Sequence, residues 1–99
     1  MAEEIVCVVE LTAKPGMIDQ LVKEATKLVP LTKKEAGCLR YELHRSLTHP
    51  EILFFIERFQ SREALDLHAK ATYVRNFLDN LVPKLVSNTK ISLYHEING

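Results

Sequence analysis

Two side chains in the second half of the chain are of the types that move protons, Glu57 and His68. Glu57 lies in the run Leu53-Phe54-Phe55-Ile56-Glu57-Arg58-Phe59. On a strand, alternation places it on the side that carries Leu53, Phe55 and Phe59, a carboxylate among apolar neighbours. A carboxylate buried alone is very costly, so this one requires a partner. His68, on the helix that should follow, is the natural candidate. Imidazole changes charge near neutral pH, and a carboxylate beside it sets its orientation and pKa. Such a pair can pass a proton to or from a bound substrate. The same pair also suits a structural tie between helix and sheet, or a half-buried core histidine.

Tyr73 and Phe77 recur one helical turn apart and, with Phe59, could wall a pocket around that pair. Ligand sites are mainly apolar with a few placed polar groups, although aromatic residues at this spacing also serve plain core packing. Arg40 and Arg45 fall on opposite sides of one strand. Arg40 is a candidate to hold an anionic substrate, and a solvated arginine is the simpler account of both. His44, His49 and His95 show no spacing suited to a metal, so no metal is expected. Cys7 and Cys38 are too few for a disulfide framework and read as small buried hydrophobes. Nothing resembles a nucleophile elbow or a phosphate-cradling loop, since Gly16, Gly37 and Gly99 fall at element boundaries or the terminus.

The elements that must position these residues follow from periodicity. Residues 4–12 are rich in β-branched side chains and read as a strand. Pro15-Gly16 interrupts, and Met17, Ile18, Leu21, Val22, Ala25, Leu28 and Val29 then recur at helical spacing. Pro30 should bend or loosen the end of this helix, and Gly37 should stop it in the left-handed conformation. Residues 38–46 and 52–59 form two strands joined by a hairpin through Leu47-Thr48-His49-Pro50. Ser61 is placed to cap a second helix through Ala64, Leu65 and His68, with a break near Ala71-Thr72. A stripe from Tyr73 to Val82 continues until Pro83, and residues 90–97 form the closing strand.

The order β-α-β-β-α-β, with its tight central hairpin, is the ferredoxin-like signature of an α+β fold. Right-handed crossovers put both helices on one face of an antiparallel sheet. The opposite face then bears Ile52, Phe54 and Ile56 with Val6 and Val8, too apolar to remain in water. The expected solution is a homodimer joined through these open sheet faces.

Residues 1–99 read as one domain. Thirteen basic residues balance thirteen acidic ones and the signs are interspersed, which argues against nucleic acid and anionic membranes as partners. The acidic start Met1-Ala2-Glu3-Glu4 lacks the features of a signal peptide, and no apolar run approaches the roughly 20 residues of a membrane span. A cytoplasmic location is expected.

The segment Glu35-Ala36-Gly37-Cys38-Leu39-Arg40-Tyr41 resembles the helix-end and second-strand pattern of the antibiotic biosynthesis monooxygenase family. Phe55-Ile56-Glu57-Arg58-Phe59, followed by Ser61-Arg62-Glu63-Ala64-Leu65 and then His68, resembles its third strand and following helix. The likeness runs over nearly the whole chain and implies a dimeric α+β barrel. Many members carry a tryptophan two residues after the strand glutamate. Phe59 stands there in this chain, which has no tryptophan at all. That departure argues against the haem-degrading branch, which relies on an Asn, Trp and His set.

The resemblance implies chemistry without a bound metal or flavin. Some relatives oxidise phenols or quinols, with the electron-rich substrate itself activating oxygen. Others are isomerases of small phosphorylated dicarbonyl compounds, and others have no established activity. The leading expectation is a cofactor-independent monooxygenase acting on a small phenolic, quinol or polyketide-like molecule. His68 would transfer the proton, Glu57 would orient it, and Phe59, Tyr73 and Phe77 would wall the pocket, with Arg40 available to an anionic group. The alternatives are an isomerase of a small carbonyl compound and a non-catalytic binding domain.

Overall fold

The computed structural model describes residues 3–98; Met1 and Ala2, where the acidic N-terminal stretch begins, and Gly99 lie outside the described residues. Strand β1 spans Ile5–Ala13, and the hairpin strands β2 and β3 span Cys38–Arg45 and Ile52–Phe59. Strand β4, Val86–Tyr94, completes a four-stranded sheet in the order β2-β3-β1-β4. Every pairing is antiparallel, as the ferredoxin-like reading requires. Helices α1 (Ile18–Thr26) and α2 (Leu28–Lys33) form the first crossover. The second comprises α3 (Arg62–Lys70), α4 (Thr72–Asn76), a π-helical turn (Phe77–Leu81) and α5 (Val82–Leu85). No helix among the described residues is long and apolar enough to cross a membrane.

Alternation decides which side chains the helices cover. Cys7, Leu11 and Ala13 of β1, Tyr41 of β2, and Leu53, Phe55, Glu57 and Phe59 of β3 are buried. The register stacks them in layers, Cys7 and Tyr41 both opposite Glu57, Val9 and Leu43 both opposite Phe55. Ile52, Phe54, Ile56, Val6 and Val8 occupy the intervening positions and are only half-buried.

Pro30 falls in the first turn of α2, a short final segment set off from α1 at Lys27, where N–H groups lack intrahelical acceptors. Three local expectations are corrected. Pro83 is the second residue of α5, so the helical stripe runs on to Leu85. Strand β4 runs from Val86 to Tyr94 rather than over 90–97, with a register shift at Thr12/Ala13 where Val86 pairs with Ala13. Gly37 is not left-handed, since Gly16 is the one residue with positive φ among those described. Gly37 is needed for space instead, because a Cβ there would stand 2.4 Å from the Ala64 methyl. This close approach holds the start of β2 against α3, the helix that carries His68.

Candidate active site

Helix α3 is fixed at both ends. The Ser61 hydroxyl accepts a hydrogen bond from the Ala64 amide at 3.1 Å, and Ala71 leaves helical geometry with ψ at 139°. Between them Ala64, Leu65 and His68 form the buried stripe, so the imidazole faces the sheet. Its ring lies 4.9 Å from that of Phe59 and 5.5 Å from that of Tyr41, centre to centre. His68 is 5% exposed and Glu57 3%.

The two nitrogens of His68 face different carboxylates. Nδ1 is 3.0 Å from Oε2 of Glu35, which lies between α2 and β2. The Tyr73 hydroxyl donates to the same Glu35 oxygen. Nε2 looks towards Glu57, whose Oε1 is 3.8 Å away, beyond hydrogen-bond range. The firm partner of His68 is therefore Glu35. Glu57 stands beside the ring without a hydrogen bond to it.

A cavity of about 220 Å³ lies between the sheet and the second crossover. Tyr41, Phe55, Leu65, Val74 and Phe77 supply apolar wall, and Glu57 and His68 bring polar groups to it. Ile91 and Leu93 of β4, 56% and 43% exposed, mark its open side. Arg62 and Asp66 also border the cavity and are paired with each other at 3.1 Å. Among the described residues no three His, Cys, Asp or Glu side chains converge as a metal site would need.

Burial, and secondarily the charge of Glu35, pushes the Glu57 carboxyl up to about 8. At neutral pH Glu57 is therefore largely a neutral acid. Burial together with Glu57 also pushes the Cys7 thiol up to about 12 and raises the Tyr41 phenol. Neither is primed as a nucleophile.

The Glu57 shift has a consequence for stability. The folded chain holds this proton up to about pH 8, whereas the unfolded chain releases it near 4.5. Between those values the folded state binds the extra proton, so stability falls as pH rises, by at most about 1.4 kcal/mol per unit from this group. Glu57→Gln keeps the shape and removes the titration. Denaturant unfolding at a series of pH values should show that slope flattened in the variant, which becomes the more stable protein above about pH 8. Identical slopes in both proteins would contradict the assignment.

The profile of the antibiotic biosynthesis monooxygenase family matches residues 4–80. The chain belongs to that family. The crystal structure of protein SO0527 from Shewanella oneidensis is 32% identical, superposes with a TM-score of 0.94, and the match covers 97% of this chain and 93% of that one. The crystal structure of PA3566 from Pseudomonas aeruginosa is 28% identical with a TM-score of 0.93, over 99% and 98% of the two chains. A curated relative, the uncharacterized protein sll1783 of Synechocystis sp., is 23% identical over 92 residues, or 93% of this chain. This chain spans 63% of the length of that relative.

Within this family member, the residues singled out by sequence separate into two groups. Glu57, His68 and Phe77 come together at the cavity. Phe59, Tyr73 and Arg40 do not line it. Phe59 is wholly buried, with its ring against that of His68, so it supports the imidazole. Tyr73 turns its hydroxyl to Glu35 and lines a separate surface cleft. Arg40 lies opposite Arg58 in the register, on the side of the sheet away from the helices, and donates to Glu42 Oε1 at 2.8 Å. Glu35 and Tyr41 were missed. Glu35 read as part of a helix end, and its contact with His68 spans 33 residues of chain. Tyr41 was recoverable, because the tight hairpin sets it opposite Glu57.

Proposed function

We propose that this member of the antibiotic biosynthesis monooxygenase family is a cofactor-independent oxygenase of a small, uncharged phenol, quinol or polyketide-like compound. The observation that carries this reading is an apolar cavity to which an uncharged carboxylic acid and an imidazole are presented together. A flat aromatic substrate would lie among Phe55, Phe77 and Tyr41, its hydroxyl directed to His68. The isomerase alternative for phosphorylated compounds is poorly served. A phosphate would meet the Asp66 carboxylate, and the bordering cation Arg62 is already paired with it.

Nε2 of His68 accepts the proton of the substrate hydroxyl, leaving an electron-rich phenolate. Electrons pass from it to dioxygen, and a carbon–oxygen bond forms to give a peroxide. Protonated Glu57 supplies the proton that lets the distal oxygen leave as water. For a quinol, one oxygen atom enters the ring, the other leaves as water, and the product is a hydroxyquinone. The substrate thus provides every electron that dioxygen takes up. The test is oxygen uptake with a reduced naphthoquinone, which should consume one dioxygen per quinol.

The assembly belongs to the same reading. Residues 1–99 act as one cytoplasmic domain whose open sheet face packs on a second copy. Ile52, Phe54, Ile56, Val6 and Val8 form the apolar centre of that contact. Arg58, held by Glu4 at 2.8 Å and Glu96 at 2.6 Å, stands on the same face at its margin.

A further inference from the structure

We propose that Glu35, His68 and Glu57 form a proton relay that joins the cavity to a separate surface cleft. The relay rests on the reading that Glu57 and His68 are the proton-transfer pair of the reaction. On that reading Glu57, 3% exposed in an apolar setting, and His68 both change protonation during turnover and must return to the resting state. The cavity opens past Ile91 and Leu93, so a bound substrate, rather than the walls, separates Glu57 from bulk water during turnover.

His68 spans the gap. Its Nδ1 contacts Glu35, whose side chain is 22% exposed, and its Nε2 faces buried Glu57. Glu35 lines a surface cleft with Gly37, Ala64 and Tyr73, and none of these four lines the cavity. One imidazole therefore touches an outer carboxylate with one nitrogen and faces an inner acid with the other. The titratable groups around the ring are Glu35 before β2, Glu57 on β3, Tyr41 on β2 and Tyr73 on α4, the last through Glu35.

The transfer balances. In the resting state Glu35 is a carboxylate accepting the Nδ1 proton, and Glu57 is the acid. As Glu57 gives its proton to Nε2, His68 gives its Nδ1 proton to Glu35. The ring stays neutral and changes tautomer, Glu57 becomes the carboxylate, and Glu35 releases the proton to solvent. The reverse sequence reloads Glu57. The inner hop requires the 3.8 Å separation to close to the roughly 2.7–3.2 Å of a hydrogen bond. The Tyr73 hydroxyl holds the Glu35 oxygen in place and acts as a positioning residue.

The test needs no substrate, so its result stands apart from that of the oxygenase assay. In full-length protein with ring-labelled histidine, NMR reads which nitrogen of His68 carries the proton and how fast that proton exchanges with water. The wild type should carry it on Nδ1. Glu35→Gln keeps an oxygen that can accept from Nδ1 and from Tyr73 but cannot take up the proton, so exchange should slow at least about tenfold. A merely structural Glu35 predicts the opposite sign, because a loosened site exchanges faster. Glu35→Asp retains the carboxylate one methylene further back and should exchange more slowly than the wild type; it decides the matter if the glutamine variant does not fold. Resting protonation at Nε2, or variant exchange as fast as the wild type or faster, would overturn the relay.

Discussion

Replacing His68 with alanine is expected to lower turnover about 100- to 10,000-fold while the protein still folds and assembles. The size follows from the loss of a positioned proton-transfer group. Assembly should persist because His68 lies beneath α3, on the covered side of the sheet, and does not belong to the open face. Folding should persist because neither acid is stranded as an unpartnered charge. Glu57 is already neutral over most of the physiological range, and Glu35 keeps the Tyr73 hydroxyl. A purely structural His68 predicts a different pattern, in which the melting temperature falls by several degrees and the turnover of the folded fraction is unchanged. Turnover and melting temperature measured on the same preparation separate the two. Partial recovery of turnover by added imidazole, entering the vacated space, would further mark the lost group as a proton carrier.

Phe54→Asp should convert the proposed dimer to monomer or to insoluble protein. Phe54 pairs with Glu10 on one side and His44 on the other, on the face no helix covers. Fully burying an apolar side chain of this kind is worth about 1.5–3 kcal/mol, and several such residues meet in the proposed contact. Aspartate there loses that contribution and adds the larger cost of an unpaired buried charge. Leu67, 71% exposed on α3, supplies the control, since Leu67→Asp changes charge equally and should remain dimeric. Sedimentation equilibrium reads both variants. A wild-type monomer at micromolar concentration would contradict the architecture.

The fold was largely legible because its signals are local and redundant. Strand β3 coincides with the predicted 52–59, and Ser61 caps α3 as its position suggested. Errors fell where tertiary context overrides local preference. Pro83 sits in a first helical turn that does not need its N–H, and Gly37 answers to the Ala64 methyl rather than to backbone conformation. The site was half legible. A glutamate in a run of apolar residues identified Glu57, and its helix identified His68. Alternation cannot reveal a partner contributed by a distant loop, so Glu35 was invisible until the chain was folded. Arg40 shows the converse, since strand parity alone does not say which side the helices cover. The pairing of Tyr41 with Glu57 puts Arg40 on the other side.

The most direct test of the oxygenase assignment is oxygen uptake by the wild-type protein with a reduced naphthoquinone under isotopically labelled dioxygen. The account predicts uptake well above the protein-free rate, one dioxygen consumed per quinol, and a hydroxyquinone carrying one labelled atom. The His68→Ala protein should fall close to the protein-free rate. Uptake indistinguishable from autoxidation across neutral phenols and quinols would contradict it, as would a product of unchanged mass that has exchanged a carbon-bound hydrogen with solvent.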